Sequence, residues 1–506
     1  MLYTKPPSIS VEREDPLSLD YEHIAVLVWQ EGDGRPLLRG AAKRLDEKTG
    51  ESLSNAIKAG GFSASPGESY TVYYNAKRID FIGLGRLDLS LSERLENARR
   101  AGARAVKNSV ERYRGSLIVA DQLGELEAME AVMAGLSMAY RLEAFKKARK
   151  RRLERIGVVP GARLDVDYIV AVSEGLYLAR DIANAPPNEL PPRTLGEKLK
   201  KLFQGLKGVE VEVIEYEDLL ARGFGGIVSV GKGSEEKPVL IIIRYKGSGG
   251  KPKALVGKTV VFDTGGINLK PSQGMTYMRA DKAGGAAVAG TLWALARMGA
   301  KIDVVGLLPA VINAPSGSAY LPSDVIRMWD GTPVEITNTD AEGRLIVADA
   351  IAFAAKELEA SEIIELSTLT GAIVVALGPL ISGLFTRDTR IKERILEASR
   401  LTGEKVWPMP MEDAYKVYLT KSASLGEIAN SGTRYGGAIY GALFLERFSH
   451  GRPFAHLDIA GPGMAYEVGA AQPEHWPVGL APGYGVRLLV EYFTEKAKTL
   501  SREGAR

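Results

Sequence analysis

The chain has 506 residues, 45% hydrophobic and 25% charged, a globular composition too long for one ordinary core, so two or more domains are expected. Its 65 basic and 62 acidic residues nearly balance, which removes any charge-based case for a nucleic-acid or membrane-surface partner. There is no cysteine, and no two of the four histidines stand at HExxH spacing. Thiolate chemistry is excluded, and any metal site must be built largely from oxygen ligands.

The first residues, "MLYTKPPSISVEREDPLSL", lack the apolar stretch of a secretory signal, and a cytoplasmic protein is expected. "HIAVLVWQ" (23–30) and "SYTVYYN" (69–75) read as strands. "LSERLENARRAGARAVKNSVERY" (91–113) has the spacing of a helix with one exposed face. "SLIVADQL" (116–123) is a further strand, followed by helix from about Glu125 to Arg152. The basic run "KKARKRR" (146–152) falls on that helix and reads as a solvated face rather than a nucleic-acid patch.

A second unit opens with the helix "AVSEGLYLARDIAN", stopped by Pro186 and Pro187. Strands follow at "VEVEVIEY", "PVLIIIRY", "ALVGKTVVFDTGG", "IDVVGLLPAVI" and "SEIIELSTLTG", with helices between several of them, as in a sheet covered on both faces. "GGIVSVGKGS" and "VGKT" imitate a phosphate loop. The first has Gly233 where Ser or Thr is needed and runs on into a strand; the second has Pro252 in place of the first glycine. The uncharged stretch 366–385 is long enough to span a membrane. Gly371, Gly378, Pro379 and Gly383 break it, so it reads as a buried strand entering a glycine-rich loop.

Two clusters carry chemistry. "NTDAEGRL" (338–345) puts Asp340, Glu342 and Arg344 at the mouth of the helical run "IVADAIAFAAKELEA"; Thr339 with Glu342 fits a capping box, a purely structural role. "GKTVVFDTGGINLKPSQGMTYMRADKAGG" (257–285) holds Lys258 inside an apolar strand, Asp263 at its end, then Lys270 and Asp281. A buried ammonium at 258 is costly unless paired or neutralised. The four negative charges of Asp263, Asp281, Asp340 and Glu342 match two divalent ions, if they meet.

"NTDAEGRL", "VGKTVVFDTGGINLKP" and "MRAD", with "LPSDVI", "STLTGA", "RYGGAI" and "AHLDIAG", resemble the leucyl aminopeptidase (M17) family over residues 170–490. "AYRLEAFKKARK" is similar to the end of that family's first domain. The resemblance implies an α/β protein of two domains: an N-terminal α/β, macro-like domain over 1–168, and a larger metallopeptidase domain over 169–506 with a mixed sheet flanked by helices. It implies a metal-dependent aminopeptidase that releases N-terminal residues, with a leucine-like preference, through a metal-bridged water. Lys258, Asp263, Asp281, Asp340 and Glu342 would hold two divalent ions per subunit, Zn²⁺ or Mn²⁺, Mg²⁺ also suiting an oxygen-rich set. Lys270 and Arg344 would be catalytic, with bicarbonate near Arg344. Lys270, Met278, Thr368, Leu369 and Gly371 would contact substrate. A homohexamer is implied, acting on peptides with a free N-terminus and with neither membrane nor nucleic acid as partner.

Two positions depart from the family pattern: Lys282 stands beside a proposed ligand where methionine is usual, and Glu427 replaces an aspartate. The alternatives are a non-catalytic DNA-binding or scaffolding hexamer, and a dimetal phosphoester hydrolase.

Overall fold

The computed structural model describes all residues except 1–2, 33, 148–151, 466–467 and 504–506. The first six strands are β1 (Ser8–Val11), β2 (His23–Gln30), β3 (Ser69–Tyr74), β4 (Lys77–Arg86), β5 (Gly115–Ala120) and β6 (Arg155–Pro160). They form one sheet in the order β1-β6-β5-β2-β4-β3, parallel except for β3 against β4. Along β2, Ile24, Val26 and Val28 face one core, while Ala25, Leu27 and Trp29 face the other. The second core continues through the helices Leu91–Ser109 and Glu125–Ala139 onto the helix Val166–Asn184.

The larger sheet uses β7 (Val209–Ile214), β8 (Val239–Lys246), β9 (Lys253–Gly257), β10 (Thr259–Asp263) and β11 (Asp303–Asn313). After the short strands β12 (Val325–Arg327) and β13 (Pro333–Glu335) it continues with β14 (Ile363–Ser367), β15 (Ser382–Thr386), β16 (Val406–Pro408) and, beyond β17 (Ile428–Ala429), β18 (Phe454–Asp458). Its order is β16-β15-β18-β14-β9-β11-β8-β7, with β10 also on β11; β12, β13 and β17 make a small separate sheet. β9, β10, β11, β14 and β18 run parallel, whereas β7, β8 and β15 meet antiparallel neighbours, so the sheet is mixed. Leu255 enters one core and Val256 the other, which accounts for the unbroken apolar runs.

Several expectations change. The helix expected to reach Arg152 ends at Ala139. Tyr140 turns extended, is buried, and its hydroxyl donates to Asp181 Oδ1 at 2.8 Å, a contact that a continued helix would forfeit. The basic run is therefore not on a helix where described, and 148–151 lie outside the described residues. The stretch 366–385 is the end of β14, a short helix Gly371–Leu377, and the start of β15. No helix among the described residues is long and apolar enough to cross a membrane.

"ALVGKTVVFD" is two strands, not one. β9 and β10 pair in succession along β11, with Lys258 at the join. There the Lys258 carbonyl accepts from Gly285 N at 2.9 Å, and its N–H donates to Leu366 O at 3.0 Å. The backbone is thus used up by neighbours on two sides, and the side chain is free to leave the ladder.

Candidate metal centre

β10, β14 and β18 end at one side of the sheet, and the carboxyl ends of parallel strands are where open α/β sheets bind ligands. Asp263 is the last residue of β10. Asp281 follows the 3₁₀ helix Met275–Ala280 and precedes the helix Ala283–Arg297. Asp340 and Glu342 lead into the helix Gly343–Lys356, and Thr368–Gly371 follows β14. Lys258, Asp263, Lys270, Met278, Asp281, Asp340, Thr368, Leu369 and Gly371 all line one cavity of about 500 Å³. Glu342 lies behind it, with Oε1 2.9 Å from Lys258 Nζ.

Lys258 Nζ is also 2.9 Å from Asp281 Oδ2 and donates to Thr368 O at 3.1 Å. Lys270 Nζ lies 2.9 Å from Asp263 Oδ2 and 2.5 Å from Asp340 Oδ1. Two carboxylates are held by one oxygen so that the other faces the centre. Asp263 Oδ1 accepts from Gly265 N and Asn313 Nδ2, each at 2.8 Å, and Asp281 Oδ1 accepts from Thr368 Oγ1 at 2.6 Å. Gly265 has φ +87°, and a Cβ there would stand 2.4 Å from Asn268 O. A Cβ at Gly343 would press on the Lys258 side chain at 2.5 Å, so the helix can begin against the lysine only with glycine there.

Burial alone would depress the Lys258 ammonium, yet Asp281, Glu342 and Asp263 hold it well above the usual lysine range; Lys270 is raised likewise, against its burial, by Asp263, Glu342 and Asp340. Burial raises Asp281, Asp340 and Glu342, and the nearby Asp263 charge adds to each.

Four carboxylates against two ammonium groups leave two negative charges uncompensated. One oxygen each of Asp263, Asp340 and Glu342 lies within 4.8 Å of the others. Asp281 Oδ2, Asp340 Oδ1 and Glu342 Oε1 are buried and accept no aligned hydrogen bond from the lysines beside them. Inward-facing oxygens with free lone pairs, in a cluster short of positive charge, fit a pair of divalent cations.

Arg344 is buried beside the cluster rather than in the cavity lining. Its Nη1 donates to Asn430 O at 2.8 Å, its guanidinium carbon lies 5.4 Å from the Tyr440 ring centroid, and its Nε has no partner. The capping box is not formed. Thr339 Oγ1 donates to Gly265 O at 2.7 Å and accepts from Asn268 N at 2.8 Å; the Glu342 side chain, at the N-cap position, turns to Lys258 instead.

Three supporting residues were not anticipated. Asn313 orients Asp263 and also donates to Thr339 O at 3.1 Å. Asn430 binds the backbone at 337–338 and Arg344. Asp458 accepts from Leu369 N at 3.1 Å and Thr370 Oγ1 at 2.6 Å, which fixes the loop after β14. Asp458 had a signal, since it lies in "AHLDIAG".

Residues 177–490 match the catalytic domain of the cytosol aminopeptidase family, and residues 25–149 match its N-terminal domain. A probable cytosol aminopeptidase of Aeropyrum pernix is 55% identical over 499 residues, covering 98% of this chain and 99% of the relative. Among solved structures, the bottromycin maturation enzyme BotP in complex with Mn is 30% identical with a TM-score of 0.81, covering 94% of this chain and 99% of its own. A point mutant of tomato leucine aminopeptidase is 28% identical with a TM-score of 0.82, covering 97% of each chain.

Proposed function

The chain belongs to the cytosol aminopeptidase family and is a metal-dependent aminopeptidase, and we propose how its own residues divide that work. Lys258, Asp263, Asp281, Asp340 and Glu342 would hold two divalent ions. Zn²⁺ or Mn²⁺ suits four carboxylates and one lysine nitrogen. The observation that carries this reading is the meeting of these five side chains, from three separate segments, four of them lining one cavity and Glu342 just behind it. When bound, the ions would supply Lewis acidity toward the substrate carbonyl and lower the pKa of the attacking water.

Lys270 reaches the cavity with its side chain 22% exposed, placed to donate to the carbonyl oxygen as charge develops on it. Arg344, with an unpartnered Nε, has a donor to spare for a small anion, and bicarbonate is the proposed occupant. Leu369 offers its backbone carbonyl to the substrate. Thr368 and Gly371 leave room beside Met275, Met278, Val374 and Met464, an apolar wall that suits a leucine-like first side chain. The division into domains at 168/169, a homohexameric assembly and a cytoplasmic location complete the proposal.

The test is hydrolysis of leucyl anilide by the purified protein before and after chelation, with metal content measured on the same samples. Activity should vanish with the metal and return with Mn²⁺ or Zn²⁺, and acetylating the substrate's amine should abolish cleavage. Full activity in metal-free protein, or equal rates on the acetylated substrate, would overturn the assignment.

A further inference from the structure

Lys282 is fully buried, and its Nζ gives all three of its hydrogen bonds to backbone carbonyls: Ala185 at 3.0 Å, Val261 at 3.3 Å, and Arg279. Each acceptor sits where regular structure breaks off. Ala185 closes the helix Val166–Asn184, and Pro186 and Pro187 after it bring no N–H. Val261 lies where the register of β10 on β11 shifts, so it is left out of the ladder. Arg279 is in the last turn of the 3₁₀ helix Met275–Ala280, where Asp281 N donates to Met278 O at 3.2 Å and the Arg279 carbonyl accepts from the lysine. One nitrogen thus satisfies three leftover acceptors in a place that water does not reach.

The elements it joins matter to the site. β10 ends in Asp263, and the 3₁₀ helix carries Met275 and Met278 into the cavity wall and leads directly to Asp281. Other polar ties reach that wall at its ends: Arg279 Nη2 donates to Gly479 O at 3.2 Å, Thr368 Oγ1 donates to Asp281 Oδ1 at 2.6 Å, and Lys258 Nζ lies 2.9 Å from Asp281 Oδ2. We propose that Lys282 is a positioning residue that braces the 3₁₀ helix against β10 and so sets the depth of the pocket for the substrate's first side chain. This rests on the aminopeptidase reading of the cavity. The lysine touches neither substrate nor reacting atoms; it acts through the wall.

The experiment compares the parent with Lys282→Met, which keeps an unbranched chain of similar length and loses the donor, and with Lys282→Gln, which keeps a shorter one. Metal content, kcat and KM for leucyl and alanyl anilides, and amide hydrogen exchange over 275–281 are measured, the last in metal-free as well as loaded protein. In Lys282→Met the leucyl-to-alanyl ratio of kcat/KM should fall about tenfold, the lower end of what one methylene in an apolar pocket contributes. The change should appear in KM, with metal content unchanged and exchange over 275–281 accelerated in both states; Lys282→Gln should fall between. A ratio within about twofold of the parent in folded, loaded Lys282→Met overturns the proposal, since loss of stability alone would not alter selectivity. If neither variant folds, the lysine serves stability only and the proposal also fails. A parent with no metal-dependent release of leucine would instead defeat the aminopeptidase reading, and the exchange data would still show whether the brace exists.

Discussion

Lys270→Ala separates catalysis from metal binding. The side chain is anchored at two points, 2.9 Å from Asp263 Oδ2 and 2.5 Å from Asp340 Oδ1, and presents the rest of its ammonium to the cavity. Removing it takes one cation from a cluster already short of positive charge, so the carboxylates lose a competitor for the ions and metal should be retained or bound more tightly. The loss falls on the reaction. A single preorganised donor to a developing oxyanion is worth about 2.7–4 kcal/mol, or roughly a hundred- to thousandfold in turnover. The assay is kcat on leucyl anilide with metal content measured on the same folded sample. Near-normal turnover with normal metal content would refute the assignment and leave the ions alone to hold the oxyanion.

Glu342→Ala should lose metal and activity together, because its carboxylate faces Lys258 from behind the cavity and would be one of the groups that hold the ions; elemental analysis showing full metal content would contradict that role. Asn313→Ala frees Asp263 Oδ1 from one of its two donors and should weaken metal affinity about 10- to 100-fold, read by titration with a competing chelator. Arg344→Ala should keep its metal and respond less than the parent to added bicarbonate; an unchanged bicarbonate response would remove the anion from the proposal. In metal-free protein, Asp281, Asp340 and Glu342 titrate above the ordinary carboxylate range when folded. Their contribution to stability is therefore complete below about pH 4 and lost as pH rises through the folded values. The melting temperature of the metal-free protein should fall toward neutral pH and recover on adding metal, and a metal-free melting temperature that climbs over that range would contradict the shifts.

The chemistry of the site was legible because it is written in short strings. "NTDAEGRL" and "VGKTVVFDTGG" each hold several functional groups within a few residues, and an ammonium in an apolar strand signals an unusual partner wherever it folds. The architecture was legible where burial is periodic or continuous, as in β2, β8 and β11. β4, "KRIDFIGLGR", is not among the strands expected above, and its Gly83 and Gly85 weaken the local strand signal. Folded, a Cβ at Gly83 would meet the backbone of Ala64 and Ser65 within about 2.4 Å, so the glycine marks a close approach inside a central strand. The excess length given to the helix after Glu125 has the converse cause. Its charged continuation is helix-compatible locally, and only Asp181, far along the chain, draws Tyr140 out of it. Tertiary structure alone decided that Thr339 binds Gly265 and Asn268 rather than capping a helix, that Asn313 and Asp458 orient their neighbours, and that Lys282 joins three broken elements. The sequence by itself determined which groups are present and which are costly to bury. Which of them meet depends on the register of parallel strands whose partners lie up to about a hundred residues apart, and no local pattern of residues carries that distance.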